Sequence, residues 1–240
     1  MNLKNKKVLI TGATGGIGHS LVKKFKNNGS LIFGTGTNEE KLDKLKNEFN
    51  IYTEKFSLDH HSNIEQFIDT VFKKLDGLDV VINNAGITLD NLSIRLSEEN
   101  WKKVVDINLT STFLMCKYSI KKMLKKKYGR ILNCSSIGVK FGGGQKSFNY
   151  SFSKHCLEFI PNSYKAWSKK NVLINNLRIG LTNTKIHKKN SKNKFLSKRI
   201  NLVPMQRMAS TKEIADFIIK VIDEKNSFMT GQTLSISGGE

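Results

Sequence analysis

The chain has 240 residues, enough for one α/β domain with a sizeable core and no obligatory second module. Its net charge of +20 admits a polyanionic partner, but lysines scattered through almost every helical stretch read more simply as a solvated basic surface. Cys116, Cys134 and Cys156 stand apart within apolar patterns and imply neither a disulfide framework nor a metal site; the first ten residues show no leader, and no apolar run approaches the roughly 20 residues of a membrane span, so a reduced, cytoplasmic protein is expected.

In chain order, short β-branched runs at Val8–Thr11, Leu31–Gly34, Tyr52–Phe56, Val80–Asn83, Arg130–Cys134, Val172–Leu177 and Thr233–Ile236 predict strands. Between them, Leu21–Asn28, Glu39–Glu48, Ile64–Leu75, Glu98–Lys125, Tyr150–Lys169 and Thr211–Asp223 carry helical periodicity. Strand and helix in alternation demand a parallel sheet covered on both faces, a doubly wound α/β fold. Right-handed crossovers place the strands' carboxyl ends along one edge, where a ligand crevice opens at the reversal of strand order.

The first strand runs into Thr11-Gly12-Ala13-Thr14-Gly15-Gly16-Ile17-Gly18, which opens the first helix. Such a turn lets backbone approach a pyrophosphate, and the free N–H groups of the helix start stabilise its charge, which separates it from a glycine-rich turn with no ligand. The second strand ends Phe33-Gly34-Thr35-Gly36-Thr37, without the carboxylate that would grip two ribose hydroxyls. NADP(H) is therefore favoured, with Thr14, Thr37 and Asn38 as donors to a 2′-phosphate and NAD(H) as the alternative. After the fourth strand, Asn83-Asn84-Ala85-Gly86 forms a small-residue turn at the same edge.

Farther on, Tyr150-Ser151-Phe152-Ser153-Lys154 puts a phenol and an ammonium on one helical face. A phenol is a weak acid-base group at neutral pH, and a nearby cation brings it toward the working range. Pro161 falls inside the same helical stretch and predicts a kink about one turn after Lys154. His187–Arg199, rich in Lys, Asn and Ser, predicts a mobile lid, here placed around residues 185–205, and Ser210 is a candidate N-cap for the last helix.

Together, the glycine turn, Asn83–Gly86, Asn108, Ser135-Ser136 and Tyr150-x-x-x-Lys154 make a set that resembles the short-chain dehydrogenase/reductase family over nearly the whole chain. Within it, Asn83–Leu92 and Thr230–Leu234 look most like beta-ketoacyl-acyl-carrier-protein (3-oxoacyl-ACP) reductases. The resemblance implies one Rossmann-like domain over residues 1–240, about seven parallel strands flanked by helices, that reduces a carbonyl by hydride transfer. It implies that Tyr150 is the proton donor, that Lys154 tunes it and holds the nicotinamide ribose, that Ser136 hydrogen-bonds the carbonyl, and that Asn108 anchors a relay water. Ser136 is preferred to Ser135 on its spacing of 14 positions before Tyr150. For the coenzyme it implies Gly12, Thr14, Gly15, Gly16, Ile17, Gly18, Thr37, Asn84, Ala85, Gly86, Tyr150, Lys154, Thr182 and Thr184, with no metal.

The resemblance further implies a homodimer or homotetramer, a 3-oxoacyl thioester of carrier protein or coenzyme A as substrate, and Lys127, Arg130 and Lys170 as the contact for an acidic acyl carrier protein. Three features depart from the family. Extra residues follow Gln145 in the loop before Tyr150, Arg178-Ile179-Gly180 lacks the usual proline, and Pro161 lies in the helix that usually forms the dimer interface. These departures keep open a sugar or polysaccharide precursor, or another small ketone, as substrate. Charge alone motivates a remote third reading, a non-enzymatic nucleic-acid-binding protein, and neither nucleic acid nor membrane is expected as a partner. His187 in the lid reads as an exposed loop histidine, and His60 and His61 receive no role.

Overall fold

The structure is a computed structural model that describes residues 3–184 and 193–240. Seven strands, β1 (Lys7–Thr11), β2 (Leu31–Gly36), β3 (Tyr52–Lys55), β4 (Val80–Asn83), β5 (Gly129–Ser136), β6 (Val172–Ile179) and β7 (Thr233–Ile236), pair in the order β3-β2-β1-β4-β5-β6-β7, every pair parallel. The strand order reverses between β1 and β4, so the loops after these two strands diverge and leave a crevice at their carboxyl ends.

On one face, α1 (Gly16–Asn27), α2 (Glu39–Phe49) and α9 (Thr211–Ile222) cover the sheet; on the other lie α3 (Ile64–Leu75), α4 (Glu98–Val105), α5 (Ser111–Lys126), α6 (Phe148–Cys156) and α7 (Tyr164–Ser168). Two cores follow from this layering. Leu21, Phe25, Ile214 and Ile218 pack on Ile10, Ile32 and Leu132, whereas Phe67, Val71, Met115 and Met123 pack on Leu9, Val81 and Ile131. Consecutive strand residues thus serve opposite layers, which is why these strands read as unbroken apolar runs.

Ser210 caps α9 as its position predicts: its hydroxyl accepts from the Glu213 amide, and the Glu213 carboxylate accepts from the Ser210 amide. The stretch Glu98–Lys125 is not one regular helix, because Asp106–Thr110 forms a wider π-type turn between α4 and α5.

The larger correction concerns Tyr150–Lys169, which is two short helices rather than one kinked helix. Pro161 has no amide proton, its ring clashes with the carbonyl four residues back, and it disfavours the helical conformation at Ile160. The chain therefore leaves α6 at Cys156, runs through turns and restarts at Tyr164.

In the segment read as a lid, residues 185–192, His187 among them, lie outside the described residues. Asn193–Asn201 forms helix α8, and Arg199 on it ion-pairs with Glu240. Among the described residues, no helix is long and apolar enough to cross a membrane, and no group of three or more His, Cys, Asp or Glu could hold a metal ion.

Candidate active site

The crevice between β1 and β4 is floored by the glycine turn. Gly12 adopts a left-handed φ of +64°, and a Cβ there would stand 2.9 Å from the Ala85 Cα. A Cβ on Gly18 would meet the Gly12 carbonyl oxygen at 2.1 Å, so only glycine lets α1 start this close to β1. The N-cap, Gly15, offers no side-chain cap, and the first turn of α1 holds no acid. A helix start of this kind, with Gly15 and Gly16 exposed and Ile17 partly so, fits a pyrophosphate.

Thr11, the last residue of β1, ties the two sides together. Its hydroxyl oxygen accepts from the amides of Asn84 and Ala85 at 3.1 Å each, and the Asn84 amide group donates to the carbonyls of Thr11 and Gly12. Sequence reasoning named Asn84 and Ala85 but gave Thr11 no role of its own; its place as the hydroxyl that ends the strand was the available signal. At the far end of the crevice Thr14 packs over Gly36, and Thr37 is exposed. Asn38 is engaged as the N-cap of α2, where its side-chain oxygen accepts from the Lys41 amide at 2.9 Å.

Three consecutive residues at the end of β5 meet α6. The Cys134 carbonyl accepts from the Lys154 ammonium at 2.8 Å, the Ser135 hydroxyl faces the Lys154 carbonyl at 3.1 Å, and the Ser136 side chain hydrogen-bonds that of Tyr150. Geometry thus separates the two serines: Ser135 is buried beneath the helix, while Ser136 is partly exposed beside the phenol. Gly86 closes the cluster, since a Cβ there would come within 3.1 Å of the Lys154 Nζ.

Asn108 sits fully buried in the π-type turn. Its side chain accepts from the Ile87 amide at 2.8 Å and donates to the Ile87 carbonyl and to Ser153 Oγ at 3.0 Å each, so it fixes the loop after β4. Ser153, which sequence reasoning passed over, links Asn108 to the Tyr150 carbonyl.

Burial sets the electrostatics. It raises the Tyr150 phenol above its ordinary value, opposed by the hydrogen bond to Ser136, and it pushes the Lys154 ammonium down to about 8. The lowering of the phenol that the Tyr150–Lys154 spacing predicts is therefore not what the fold delivers: the ammonium lies 5.9 Å from the ring centroid, and burial disfavours both charged forms. Asp90, in the loop after β4, adds to the rise on Tyr150.

Thr182 is buried and donates to the Gly180 carbonyl at 2.9 Å, whereas Thr184 stands against Gly16 at the start of α1. The basic trio divides. Lys127 and Lys170 are exposed, but Arg130 is 3% exposed, donates to the carbonyls of Gly129 and Asn171, and stacks on Tyr128. Arg130 therefore cannot belong to a surface patch, because its position in β5 turns it under the chain at the sheet's opposite end.

Comparison with known proteins agrees with this arrangement. The short chain dehydrogenase family model matches residues 6–194. The chain is 32% identical to the 3-oxoacyl-[acyl-carrier-protein] reductase of Aquifex aeolicus and 34% identical to that of Rickettsia bellii, over 100% of this chain and 98% of each relative. Nodulation protein G of Rhizobium is 30% identical over 99% of this chain and 97% of its own length. An all-parallel sheet, a glycine-lined crevice at its switch point and a Ser136, Tyr150 and Lys154 cluster beside that crevice accompany similarity over the full length, and the chain belongs to the short-chain dehydrogenase family of NAD(P)-dependent oxidoreductases.

Proposed function

We propose that the chain is an NADPH-dependent reductase of 3-oxoacyl thioesters, carried by acyl carrier protein or coenzyme A, with Tyr150, Ser136, Lys154 and Asn108 as its working residues. The meeting of Tyr150, Ser136 and Lys154 at the carboxyl end of β5, beside the glycine-lined crevice, carries the reading. The printed activity of its full-length relatives supports the substrate class.

When bound, the reduced nicotinamide supplies the hydride. The substrate oxygen then gains a proton from the Tyr150 hydroxyl, while the Ser136 hydroxyl donates a hydrogen bond to the developing oxyanion. Because burial keeps the phenol neutral, Tyr150 enters the reduction already protonated, and the phenolate left behind recovers its proton from solvent. Lys154, with one donor spent on the Cys134 carbonyl, keeps its others for the nicotinamide ribose. Asn108 holds the loop carrying Gly86 and Ile87, and so shapes the nicotinamide side of the crevice.

A 2′-phosphate is accommodated near Thr14 and Thr37, where β2 ends without an acid and the nearby Glu39 carboxylate is drawn to Lys55. The oligomer we expect is a homodimer or homotetramer, with exposed Phe113 on α5 and Phe152 on α6 as candidate contacts.

A second reading rests on the residues inserted after Gln145. They join the two loops beside the site through a parallel bridge between Asn91 and Ser147, and a substrate such as a sugar precursor would meet that altered wall. Absorbance-monitored NADPH oxidation with acetoacetyl thioesters of both carriers tests the choice. Turnover that is faster on carrier protein and weakened by salt is the expected result; tight coenzyme binding without turnover moves the substrate search to sugars and small ketones.

A further inference from the structure

Helix α6 is unusually short for the task it has. Lys154 lies in its final turn, two residues before the end at Cys156, and the carbonyls of a last turn have no helical partners. A lysine so close to a fraying end holds its place only if other groups capture that turn.

Those groups are present. Beyond the helix end, the Glu158 carboxylate receives two bonds from the Arg178 guanidinium, Nε to Oε1 at 2.8 Å and Nη2 to Oε2 at 2.5 Å. The Glu158 side chain is 9% exposed. Its Oε1 also faces the Ser135 hydroxyl at 2.8 Å, the same hydroxyl that lies 3.1 Å from the Lys154 carbonyl. One proton is thus shared between the carboxylate and the orphan carbonyl. From the adjacent row of the sheet, the Asn176 amide donates to the Glu158 carbonyl at 3.1 Å, and the Asn133 amide donates to Asn176 at 3.1 Å. Ser135 and Arg178 are direct partners across β5 and β6, as are Asn133 and Asn176, so the clasp is built on the rigid sheet and reaches out to the helix end.

A largely buried ion pair adds little net stability over a well-packed apolar pair, because desolvation offsets the attraction. What it supplies here is a fixed geometry. We propose that Glu158 and Arg178 are positioning residues that hold the Lys154 turn of α6 against β5, in place of the helical turns that Pro161 removes. The inference rests on the reading of Tyr150 and Lys154 as the reactive pair. It makes Arg178, at the position two residues before Gly180, part of the positioning of the site rather than a neutral departure from the family pattern.

The test is fluorescence titration of NADPH from pH 6.5 to 9.5, on the wild-type protein and on Glu158→Gln, Arg178→Met and Arg178→Lys. Around Lys154 the titratable groups are Tyr150 on α6 and Cys134 on β5, with Asp90 acting on Tyr150. None of these is altered in the variants. A loosened turn admits water to Lys154, so its ionisation should move up toward the ordinary lysine value. The pH at which coenzyme binding weakens should rise in Glu158→Gln and Arg178→Met, with affinity at pH 7 about threefold to tenfold lower. Arg178→Lys keeps the charge and should restore at least part of both. With acetoacetyl coenzyme A, kcat should fall about tenfold at a substrate KM close to wild type.

Variants that lose only thermal midpoint or folded fraction, with the alkaline midpoint and the kcat per coenzyme-binding site unchanged, would overturn the proposal. Should Arg178→Met fail to fold, Glu158→Gln and Arg178→Lys decide it by the same readouts. A wild-type protein that binds NADPH but leaves acetoacetyl coenzyme A untouched counts against the ketoacyl reading alone, and the coenzyme titration still decides the positioning role.

Discussion

Lys154 and Cys134 are joined by a 2.8 Å hydrogen bond from the ammonium to a strand carbonyl, and that bond is the one hydrogen bond the buried ammonium makes to the described residues. Burial outweighs it, and the ammonium is pushed down to about 8. Wild-type protein at pH 7 therefore folds with a charge held against its preference. The sign follows from linkage: between about pH 8 and the ordinary lysine value the unfolded chain binds more protons than the folded one, so stability rises with pH across that window. Lys154→Met should stabilise the coenzyme-free protein at pH 7 by about 1–3 kcal/mol, and the gain should shrink by pH 9.5. Denaturant unfolding at the two pH values checks both, and a Lys154→Met protein less stable at pH 7 would refute the argument. Turnover by this variant should be lost.

In the proposed mechanism Tyr150 and Ser136 divide the proton and oxyanion tasks, and their variants should differ in degree. Tyr150→Phe should abolish turnover with NADPH affinity nearly intact, since only the transferable proton is removed. Ser136→Ala should keep a residue of activity, with kcat down about 100-fold or more for the lost donor. Steady-state kinetics beside fluorescence titration separates the two effects; full activity in Tyr150→Phe would contradict the mechanism.

On the proposed reading the coenzyme is selected at the end of β2, where Thr37 is exposed and no acid stands. NADPH should bind with a lower dissociation constant than NADH. Thr37→Asp should reverse that order through repulsion of the 2′-phosphate and attraction of the free ribose hydroxyls, a change of about tenfold or more. Equal affinities for the two coenzymes in the wild-type protein would defeat the argument from β2.

Carrier recognition should depend on Lys127 and Lys170, which are exposed, and not on Arg130, which is buried. Glutamate at both lysines should lower kcat/KM for acyl carrier protein substrates several-fold, leave the coenzyme A thioester unaffected and weaken the salt dependence. Arg130→Ala should act differently, by destabilising the fold about 1–3 kcal/mol through loss of buried packing and hydrogen bonds, as thermal denaturation would show.

The strand and helix rhythm, the glycine turn and the Tyr150-x-x-x-Lys154 pair were legible in the sequence because each is local, whereas Ser136 entered only through the family resemblance. Short unbroken apolar runs mark strands covered on both faces, period-3.6 patterns mark the buried faces of helices, and a glycine turn between strand and helix needs only a few neighbouring residues to specify it. Long-range contacts left no such trace. That Ser135 goes under the helix while Ser136 reaches the phenol depends on the pleat of β5 against α6, and Arg130 reads as a surface cation until the sheet turns it beneath Tyr128. Pro161 announced an interruption in α6, but its extent depended on what captures the loose end, and Glu158 and Arg178 lie 20 positions apart. The sign of the shift on Tyr150 likewise awaited the fold: spacing placed a cation nearby, whereas the shift is set by how much water the packed chain excludes from both groups.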